Sequence, residues 1–397
     1  MMLLEKNKPL KILLIISKMG KGGAQQVVLE LANGLSKAGM LVEIMFFFRT
    51  PQDSSIINSL DKNIHLYYPG MMFSLPSDHT GLLKKTIMFI WLPCWAFFKT
   101  IKGDFEKYNI IHANMFLASL FTNWVHFFQI LFRKRKTQFV ETFHSDFASL
   151  SVKFLESKVM LWLWMHLDTL VLELRREDIN YLANKLPSVR QKYIPFGISA
   201  AEDWLSLENK LPQVKNSHPP VILSVTRFHK EKRVARLIES VAKLKEITEI
   251  KFTYILVGDG PERQKMMSYA KSLGLEKNIL FPGYLDEKEI AWQDSAVFLA
   301  AGVEDLVGIA GLRSASFGIP VLSYRIDKFW EVNNDLFWNS RSPEQIAERV
   351  KKLLIDNDFW QKESKRSLTV FTENFSADVM VRSYINLYQE LSLCAQE

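Results

Sequence analysis

Two basic side chains follow an apolar segment in the second half of the sequence, and they have the chemistry to bind phosphate. The segment Val221–Val225 is apolar, and Arg227 and Lys232 lie in the polar stretch after it. An arginine fork and a lysine point charge in one crevice suit a diphosphate group. Lys230 and Arg233 lie beside them. A solvated basic loop is therefore the alternative, and charge alone favours that alternative.

Two carboxylates stand between an apolar run and a stretch that is compatible with a helix. Glu304 and Asp305 follow the run, Arg313 lies in the helical stretch, and Gly318 and Pro320 close it. In parallel α/β sheets, ligands bind at the carboxyl ends of strands and next to helix N-termini. The two acids are therefore candidates for a binding or catalytic site.

Two histidines each follow a predicted strand in the first half of the sequence. His112 lies near the end of one strand, with Asn114 just beyond, and His144 ends another. A single histidine in such a place is more often structural than catalytic. Two of them at the same edge of a parallel sheet favour a site. His144 is the stronger candidate, because Ser145 and Asp146 follow it in a polar loop.

A glycine pair near the N-terminus separates a strand from a helix. Gly22 and Gly23 follow the apolar run 10–16 and precede a predicted helix, for which Gly39 fits the C-cap. The predicted apolar face of this helix consists of Ala24, Val27, Val28, Leu31 and Leu35. Glycines allow close approach of a ligand, and a helix N-terminus favours anions. A simple tight turn is the alternative, and spacing alone does not choose between the two.

Apolar runs alternate with helical patterns along both halves of the chain. The predicted strands include 41–48, 108–113 and 139–143 in the first half, and 221–225, 252–257, 278–281 and 321–324 in the second. Glycine turns follow two of them, with Gly258 in one and Gly283 before Tyr284 in the other. This alternation predicts α/β domains with doubly wound parallel sheets.

Length and composition bound the class of protein. The chain has 397 residues, 48% of them hydrophobic, and a formal net charge of +7. That length suits two domains, and the charge favours anionic partners. Nucleic acid is not expected, because the basic residues are scattered. The two cysteines suit a reducing cytoplasm, and no secretory signal is evident at the N-terminus.

Two apolar segments of the first half bear on membrane attachment. Residues 86–98 are apolar with Pro93 inside, and residues 124–132 run into the basic stretch 133–136. Roughly 20 residues are needed to cross a bilayer, and a proline interrupts helices, so a transmembrane span is not expected. A buried helix and a membrane-surface helix remain alternatives for residues 86–98. The two segments together favour peripheral contact with an anionic membrane.

Two further stretches help to divide the chain. Residues 154–172 are apolar and aromatic with helical spacing, which predicts that Trp162, Trp164 and Met165 belong to the core. Residues 199–220 are polar and end in a proline pair, which is typical of an interdomain linker.

Nine motifs follow one another along the chain: GKGGAQQVVLELANGLSKAG, NIIHAN, ETFHSD, YIPFGIS, VTRFHKEKRVARLI, VGDGPERQKM, ILFPGY, FGIPVL and FSADVMVRSYINLYQEL. This ordered set resembles the retaining glycosyltransferase family 4, which has the GT-B fold. The resemblance covers nearly the whole chain. It implies two Rossmann-like parallel-sheet domains facing a cleft. The expected domains are 1–198 on the acceptor side and 221–372 on the donor side, with linker 199–220 and a helix at 373–397 that crosses back.

The resemblance implies a metal-independent transfer of a sugar, without a cofactor, from a UDP- or GDP-sugar to a glycan or lipid-linked acceptor. It places the enzyme in the cytoplasm, on the inner face of the membrane, in cell-surface polysaccharide synthesis. The family's motifs assign a catalytic role to His144 and Asp305. They assign diphosphate binding to Arg227, Lys232, Gly22 and Gly23. They assign donor-sugar or nucleotide contacts to Glu304, Gly258, Gly283, Tyr284 and Arg313.

Two positions depart from the family's pattern of two glutamates seven residues apart. The first falls on Asp305, with Glu304 beside it, and the second falls on Arg313. An arginine cannot accept hydrogen bonds from ribose hydroxyls as a carboxylate does. Leu306 replaces the usual glycine, and Asn114 stands where a second histidine is common. The alternative function is therefore a catalytically weakened protein that acts as the partner of an active glycosyltransferase. An epimerase or a phosphorylase of the same fold is a third and weaker alternative.

Overall fold

The computed structural model describes residues 9–18, 22–48, 58–67, 82–133, 137–144, 154–173, 178–200, 219–300, 307–324, 338–340 and 342–394. The chain divides into two compact units, which we call unit 1 and unit 2. Unit 1 comprises Met1–Gly197 and Ala377–Glu397, and unit 2 comprises Ile198–Ser376.

Unit 1 is built on a parallel sheet, for which the described residues supply seven strands. Its order is β3, β2, β1, β4, β5, β6, β7. The strands are β1 (Lys11–Lys18), β2 (Leu41–Phe48), β3 (His65–Tyr67), β4 (Ile110–Asn114), β5 (Gln138–Phe143), β6 (Thr169–Leu172) and β7 (Arg190–Tyr193). Residues 12–16 of β1 are fully buried. This is expected of a central strand covered on both faces, and it explains the continuous apolar run in the sequence.

Helices follow most of these strands. They are α1 (Gly23–Lys37), α2 (Leu82–Ile101), α3 (Phe116–Leu131), α4 (Phe154–Trp164) and α5 (Asp178–Ala183). Four members of the predicted inner face of α1 are buried, namely Val27, Val28, Leu31 and Leu35, and the fifth, Ala24, is half-buried. The C-cap of this helix is Ala38, and Gly39, the predicted cap, follows it with φ of +84° and its N–H donating to Ser36 O at 2.9 Å.

Unit 2 contains a second parallel sheet, with six strands among the described residues. Its order is β10, β9, β8, β11, β12, β13. The strands are β8 (Val221–Val225), β9 (Thr253–Val257), β10 (Ile279–Gly283), β11 (Ser295–Ala300), β12 (Val321–Tyr324) and β13 (Trp338–Ser340). In each sheet the strand order reverses beside the first strand, between β1 and β4 in unit 1 and between β8 and β11 in unit 2. Such reversal points are where ligands bind in open α/β sheets.

The helices of unit 2 are α6 (Val234–Ile247), α7 (Arg263–Ser272), α8 (Gly308–Ser316), α9 (Pro343–Ile355) and α10 (Asn357–Val370). A π-helical turn at Phe371–Phe375 follows, and then α11 (Ala377–Cys394), which belongs to unit 1. Short polar side chains start two of the helices. Ser342 Oγ accepts from Gln345 N at the start of α9, and Asp356 accepts from Phe359 N at the start of α10.

The structure corrects two predictions for unit 1. The aromatic stretch 154–172 is not one helix, since it contains α4 and then β6. Trp164 is buried as predicted, but Trp162 is 52% exposed and Met165 is 45% exposed. The prediction that Trp162 and Met165 are core residues was wrong, because the apolar side chains of this segment are not confined to the side that packs on the core, where Met160, Leu163 and Trp164 are buried.

A further correction concerns the apolar segment 86–98, which Pro93 does not interrupt. Pro93 lies inside α2, which continues to Ile101, and the buried side chains of Leu92 and Ala96 flank it. Tertiary packing on the unit 1 core outweighs the lost backbone hydrogen bond here. The predicted linker 199–220 lies mostly outside the described residues, which resume at residue 219.

Candidate functional site

The carboxyl edge of the unit 1 sheet carries the glycine pair predicted from the sequence. Gly22 is the N-cap of α1 and Gly23 is its first residue, directly beyond the β1 end of the sheet. Gly22 has an extended backbone, with φ of −100°, so its conformation does not require glycine. A Cβ built there would lie 2.2 Å from the side-chain oxygen of Gln25. The absence of a side chain therefore leaves room for the buried Gln25 beside the helix N-terminus.

A strained residue precedes the next helix at the same edge. Met115, the N-cap of α3, has φ of 74° and ψ of 158°. This region of backbone space is nearly restricted to glycine, and such conformations cluster at functional sites. Gln25 Nε2 lies 3.9 Å from the Met115 sulfur. The starts of α1 and α3 therefore meet where the strand order of unit 1 reverses.

His144, the predicted catalytic histidine, is held on both ring nitrogens. Nδ1 lies 2.7 Å from Glu173 Oε2, and Nε2 lies 2.9 Å from Asn114 Oδ1. Asn114 ends β4, His144 follows β5 and Glu173 follows β6, so three neighbouring strands build this cluster. Glu173 and Asn114 are buried. We call these three residues the His144 cluster.

Sequence reasoning missed Glu173. The strand before it, β6, lies within the stretch 154–172, whose spacing predicts a helix, so the sequence does not show that Glu173 follows a strand. Had β6 been recognised, an acidic residue directly after a buried strand would have been a site candidate, as Glu304 and Asp305 were.

His112 lies deeper in the sheet and has a structural role. Its Nδ1 is 2.6 Å from Tyr388 OH and its Nε2 is 2.6 Å from Thr142 Oγ1. Thr142 also bonds Tyr384 OH at 2.7 Å. Burial lowers the pKa of His112 to about 3, and the charge of His144 adds to the effect. The ring is therefore neutral, and it fastens α11 to the sheet of unit 1.

In unit 2 the loops after β8, β9 and β10 are joined by backbone hydrogen bonds. Thr226 N–H donates to Val257 O at 3.0 Å, Phe228 N–H to Asp259 O at 2.9 Å, and Gly258 N–H to Gly283 O at 2.8 Å. These bonds fix the carboxyl edge of the sheet. These bonds therefore fix the position of the turn that carries Arg227 and Lys232, the predicted phosphate-binding residues.

Gly258 is needed for this close approach of backbones. Its φ is +137°, and a Cβ there would lie 1.8 Å from the Thr226 carbonyl oxygen. Gly283 also has a positive φ, +87°, but a Cβ there would meet nothing within 4 Å. Tyr284 follows it, is exposed, and donates to Asp286 Oδ1 at 3.1 Å. The structure therefore gives Gly258 a role in loop packing, and it leaves space beside Gly283.

Arg227 and Lys232 lie in the turn between β8 and α6, as the sequence predicted. Arg227 is exposed and Lys232 is half-buried at the end of a short 3-10 turn, Lys230–Lys232. No carboxylate of the described residues forms an ion pair with Arg227. Arg227 thus lies just beyond the carboxyl end of β8, next to the point where the strand order reverses, and its side chain is exposed.

Arg313 is engaged by acceptors from its own unit. It lies in α8, its Nη1 donates to Ser199 O at 2.6 Å, and its Nε pairs with the carboxylate of Glu287. The Arg313 side chain is 11% exposed. The two predicted acids, Glu304 and Asp305, lie outside the described residues, just before α8.

No group of three histidine, cysteine or acidic side chains among the described residues is placed to hold a metal ion. Among the same residues, no helix combines the length and apolar character that a membrane crossing needs.

The sequence is similar to those of known glycosyltransferases. The family model Glycosyl transferases group 1 matches residues 207–368. The O-antigen biosynthesis glycosyltransferase WclY of Escherichia coli is 26% identical over 307 residues, covering 73% of this chain and 82% of WclY. The O-antigen chain mannosyltransferase C of Escherichia coli is 24% identical over 393 residues, covering 93% of this chain and 95% of that protein.

Solved structures resemble the whole fold. HepE of Anabaena in complex with UDP and glucose has a TM-score of 0.66 at 13% identity, covering 96% of this chain and 100% of that chain. At this identity the likeness shows the fold alone. The predicted fold is confirmed: two parallel-sheet α/β units of the GT-B class.

Proposed function

We propose that this chain, which carries a glycosyl transferases group 1 domain and is a glycosyltransferase, acts in the synthesis of a cell-surface polysaccharide. It would move a sugar from a nucleotide diphosphate donor to a glycan or lipid-linked acceptor. The observation that carries the proposal is the turn after β8, which presents Arg227 at the carboxyl edge of the unit 2 sheet inside the matched domain. The names of two relatives, both acting in O-antigen synthesis, support the choice of pathway class.

Arg227 and Lys232 are proposed to bind the donor diphosphate. Negative charge grows on the diphosphate as the bond to the sugar breaks, and fixed cations stabilise that charge best when they need no rearrangement. The backbone hydrogen bonds from Thr226 and Phe228 to the end of β9 and the loop after it hold the turn that carries both cations in a fixed position. UDP is the first nucleotide to test, because the structural neighbour HepE was solved with UDP.

Retention of configuration and membership of glycosyltransferase family 4 remain part of the proposal. They follow from the motif resemblance, in which Asp305, with Glu304 beside it, faces the donor sugar. Gly22 and Gly23 are proposed to approach phosphate through the N-terminus of α1. His144 is proposed to contact substrate from the carboxyl edge of the unit 1 sheet.

Arg313 is proposed to stabilise unit 2 instead of contacting the nucleotide. Its guanidinium already serves Glu287 and the Ser199 carbonyl, and it has no acceptor for ribose hydroxyls. The same observation favours the second candidate function, a weakened enzyme that acts as a binding partner, because the family's second glutamate is missing.

Calorimetric titration with UDP and with GDP tests the donor site. We expect one of them to bind, and Arg227→Ala to weaken binding about tenfold or more, as expected for losing a hydrogen bond to a charged group. Lys230→Ala is the matched control, since Lys230 is an exposed cation of the same turn. Absence of binding by both nucleotides would contradict the proposal. Binding without sugar transfer would favour the second candidate.

Peripheral contact with an anionic membrane is proposed for the ends of α2 and α3. Exposed apolar side chains collect there, with the rings of Phe97 and Phe128 packed 5.2 Å apart between them. They are Phe98, Ile101, Phe127, Ile130 and Leu131. The exposed cations Lys102 and Arg133 flank this patch, and such a combination suits an anionic interface.

Vesicle flotation tests the membrane contact. Wild-type protein is expected to float with vesicles containing anionic phosphatidylglycerol and to stay behind with neutral phosphatidylcholine vesicles. Phe127→Ser with Leu131→Ser should lower the bound fraction severalfold. Leu280→Ser with Leu393→Ser is the control, because both side chains are exposed elsewhere. An equal loss of vesicle binding in both double variants would contradict the proposal that this patch is the membrane contact.

A further inference from the structure

We propose that Glu173 and Asn114 together keep a proton on both ring nitrogens of His144, so that His144 serves the transfer as a fixed N–H donor and not as a base. Glu173 is then a positioning residue of the enzyme. The kinetic part of this inference rests on the proposed function, whereas its spectroscopic part does not.

The first step is the orientation of Asn114. Its Nδ2 donates to the His112 carbonyl oxygen at 3.3 Å, and its Oδ1 faces His144 Nε2 at 2.9 Å. Turning the amide over would bring its oxygen against the His112 carbonyl, where two acceptors meet. The oxygen therefore faces the ring, and it can only accept a proton from Nε2.

The second step is the carboxylate on the other side of the ring. Glu173 Oε2 lies 2.7 Å from Nδ1, and the Glu173 side chain is 3% exposed. Its Oε1 is buried without a hydrogen-bond partner among the described residues. No lysine or arginine of those residues pairs with it. A buried carboxylate is costly unless a cation balances it. The imidazolium of His144 is the balancing group, which requires the proton on Nδ1.

The neighbours of the cluster are consistent with one positive charge on His144. His112 is neutral, because burial lowers its pKa to about 3 and the charge of His144 adds to the effect. On β5, Glu141 is buried and has its own donors, Ser119 Oγ at 2.5 Å and Trp164 Nε1 at 2.9 Å. The hydroxyl of Tyr384 is bonded to Thr142. Neither Glu141 nor Tyr384 offers a base to His144.

This arrangement determines what the ring can do. With both nitrogens protonated it has no lone pair, so it cannot take a proton from an acceptor alcohol. It can donate from Nε2 to a substrate oxygen that replaces Asn114 Oδ1. A fixed charged donor stabilises an oxygen that gains negative charge in the transition state. The ligand group is thus a phosphate or sugar oxygen of the donor.

Nitrogen-15 NMR of the histidine rings tests the protonation state. His144 is assigned by the signal lost in His144→Gln. At pH 7.5 we expect two protonated nitrogens in the wild type and one in Glu173→Gln, which keeps the shape but removes the charge. Glu141→Gln is the control for replacing a buried glutamate and should leave the His144 signals protonated. A neutral wild-type ring, or an unchanged ring in Glu173→Gln, would overturn the inference.

Kinetics test the positioning role once a donor is known. Glu173→Gln should lower kcat about tenfold or more with a smaller change in KM, within the range seen when a transition-state donor is impaired. Glu173→Asp, which keeps the charge, should recover part of the loss. An equal loss in both variants, with the wild-type NMR pattern kept, would assign Glu173 to stability alone. Failure of all transfer with an intact NMR pattern would refute the proposed function and not the protonation.

Discussion

Replacing Glu141 by glutamine should remove a pH dependence from the stability of the protein. Glu141 is 1% exposed, on β5 in the middle of the unit 1 sheet. Burial raises its pKa from the ordinary 4.5 to about 7, although hydrogen bonds from Ser119 and Trp164 act in the opposite direction. A glutamine in the same place accepts from Trp164 Nε1 and donates to Ser119 Oγ, so it keeps both contacts without the charge.

The magnitude follows from the two pKa values. The unfolded chain ionises this carboxyl near pH 4.5 and the native protein near pH 7, so between these values the native state holds a proton that the unfolded state has lost. The free energy of unfolding therefore falls as pH rises through this window, by about 3 kcal/mol for this one group. Glu141→Gln lacks the group and should not show this fall.

Urea unfolding of the wild type and of Glu141→Gln at pH 5 and pH 8 measures the effect. The variant should gain stability relative to the wild type at pH 8 and gain little at pH 5. Glu43→Gln is the matched control on β2. Burial acts to raise the pKa of Glu43, but bonds from Tyr108 and Lys107 outweigh it and lower that pKa, so the pH effect has the opposite sign. Parallel pH profiles for wild type and Glu141→Gln would refute the reasoning.

Three further substitutions test parts of the structure. Gly258→Ala should destabilise unit 2 by about 3 kcal/mol or more, because its Cβ would clash with the Thr226 carbonyl and its φ is positive; thermal unfolding measures this. Tyr388→Phe should lower the free energy of unfolding by about 1–3 kcal/mol, because His112 Nδ1 loses its buried partner. Arg313→Ala should lower the unfolding temperature by a few degrees and leave UDP affinity unchanged in calorimetry, since the guanidinium serves its own unit.

Each of these has a result that would count against it. Gly283→Ala is the comparison for Gly258, because a Cβ at Gly283 has space around it; equal losses would show that the close approach of Thr226 does not matter. A Tyr388→Phe protein as stable as the wild type would show that the hydrogen bond between Tyr388 and His112 does not stabilise the packing of α11 on the sheet. A tenfold loss of UDP affinity in Arg313→Ala would place Arg313 at the nucleotide after all.

Local patterns were enough to predict most elements of the fold. The continuous apolar run of β1 and the spacing of Val27, Val28, Leu31 and Leu35 on α1 each carry their own signal. The failures have a common cause in composition. Residues 159–165 are all apolar, so the apolar pattern shows neither the end of α4 nor which of its side chains are exposed.

Most residues of the candidate site could be predicted from the sequence, but the contacts between them could not. His144 and Arg227 were found because each follows a strand. Glu173 was missed, and its contact with His144 joins positions 29 apart in the chain. The sequence shows that Arg313 replaces the family's second glutamate. It does not show the hydrogen bond from Arg313 to the Ser199 carbonyl, which joins positions 114 apart. Periodicity predicts elements, and only the assembled sheet decides which side chains meet.

Sugar transfer by the purified protein is the decisive test of the proposed glycosyltransferase activity and of the role of Arg227. The assay would offer tagged UDP- and GDP-sugars with membranes from a polysaccharide-producing bacterium as acceptor and would follow the tag into glycan or lipid. We expect transfer from one donor class, reduced about a hundredfold or more in Arg227→Ala and unchanged in Lys230→Ala. Transfer that is equally fast in Arg227→Ala, or no transfer from any donor despite nucleotide binding, would contradict the proposal.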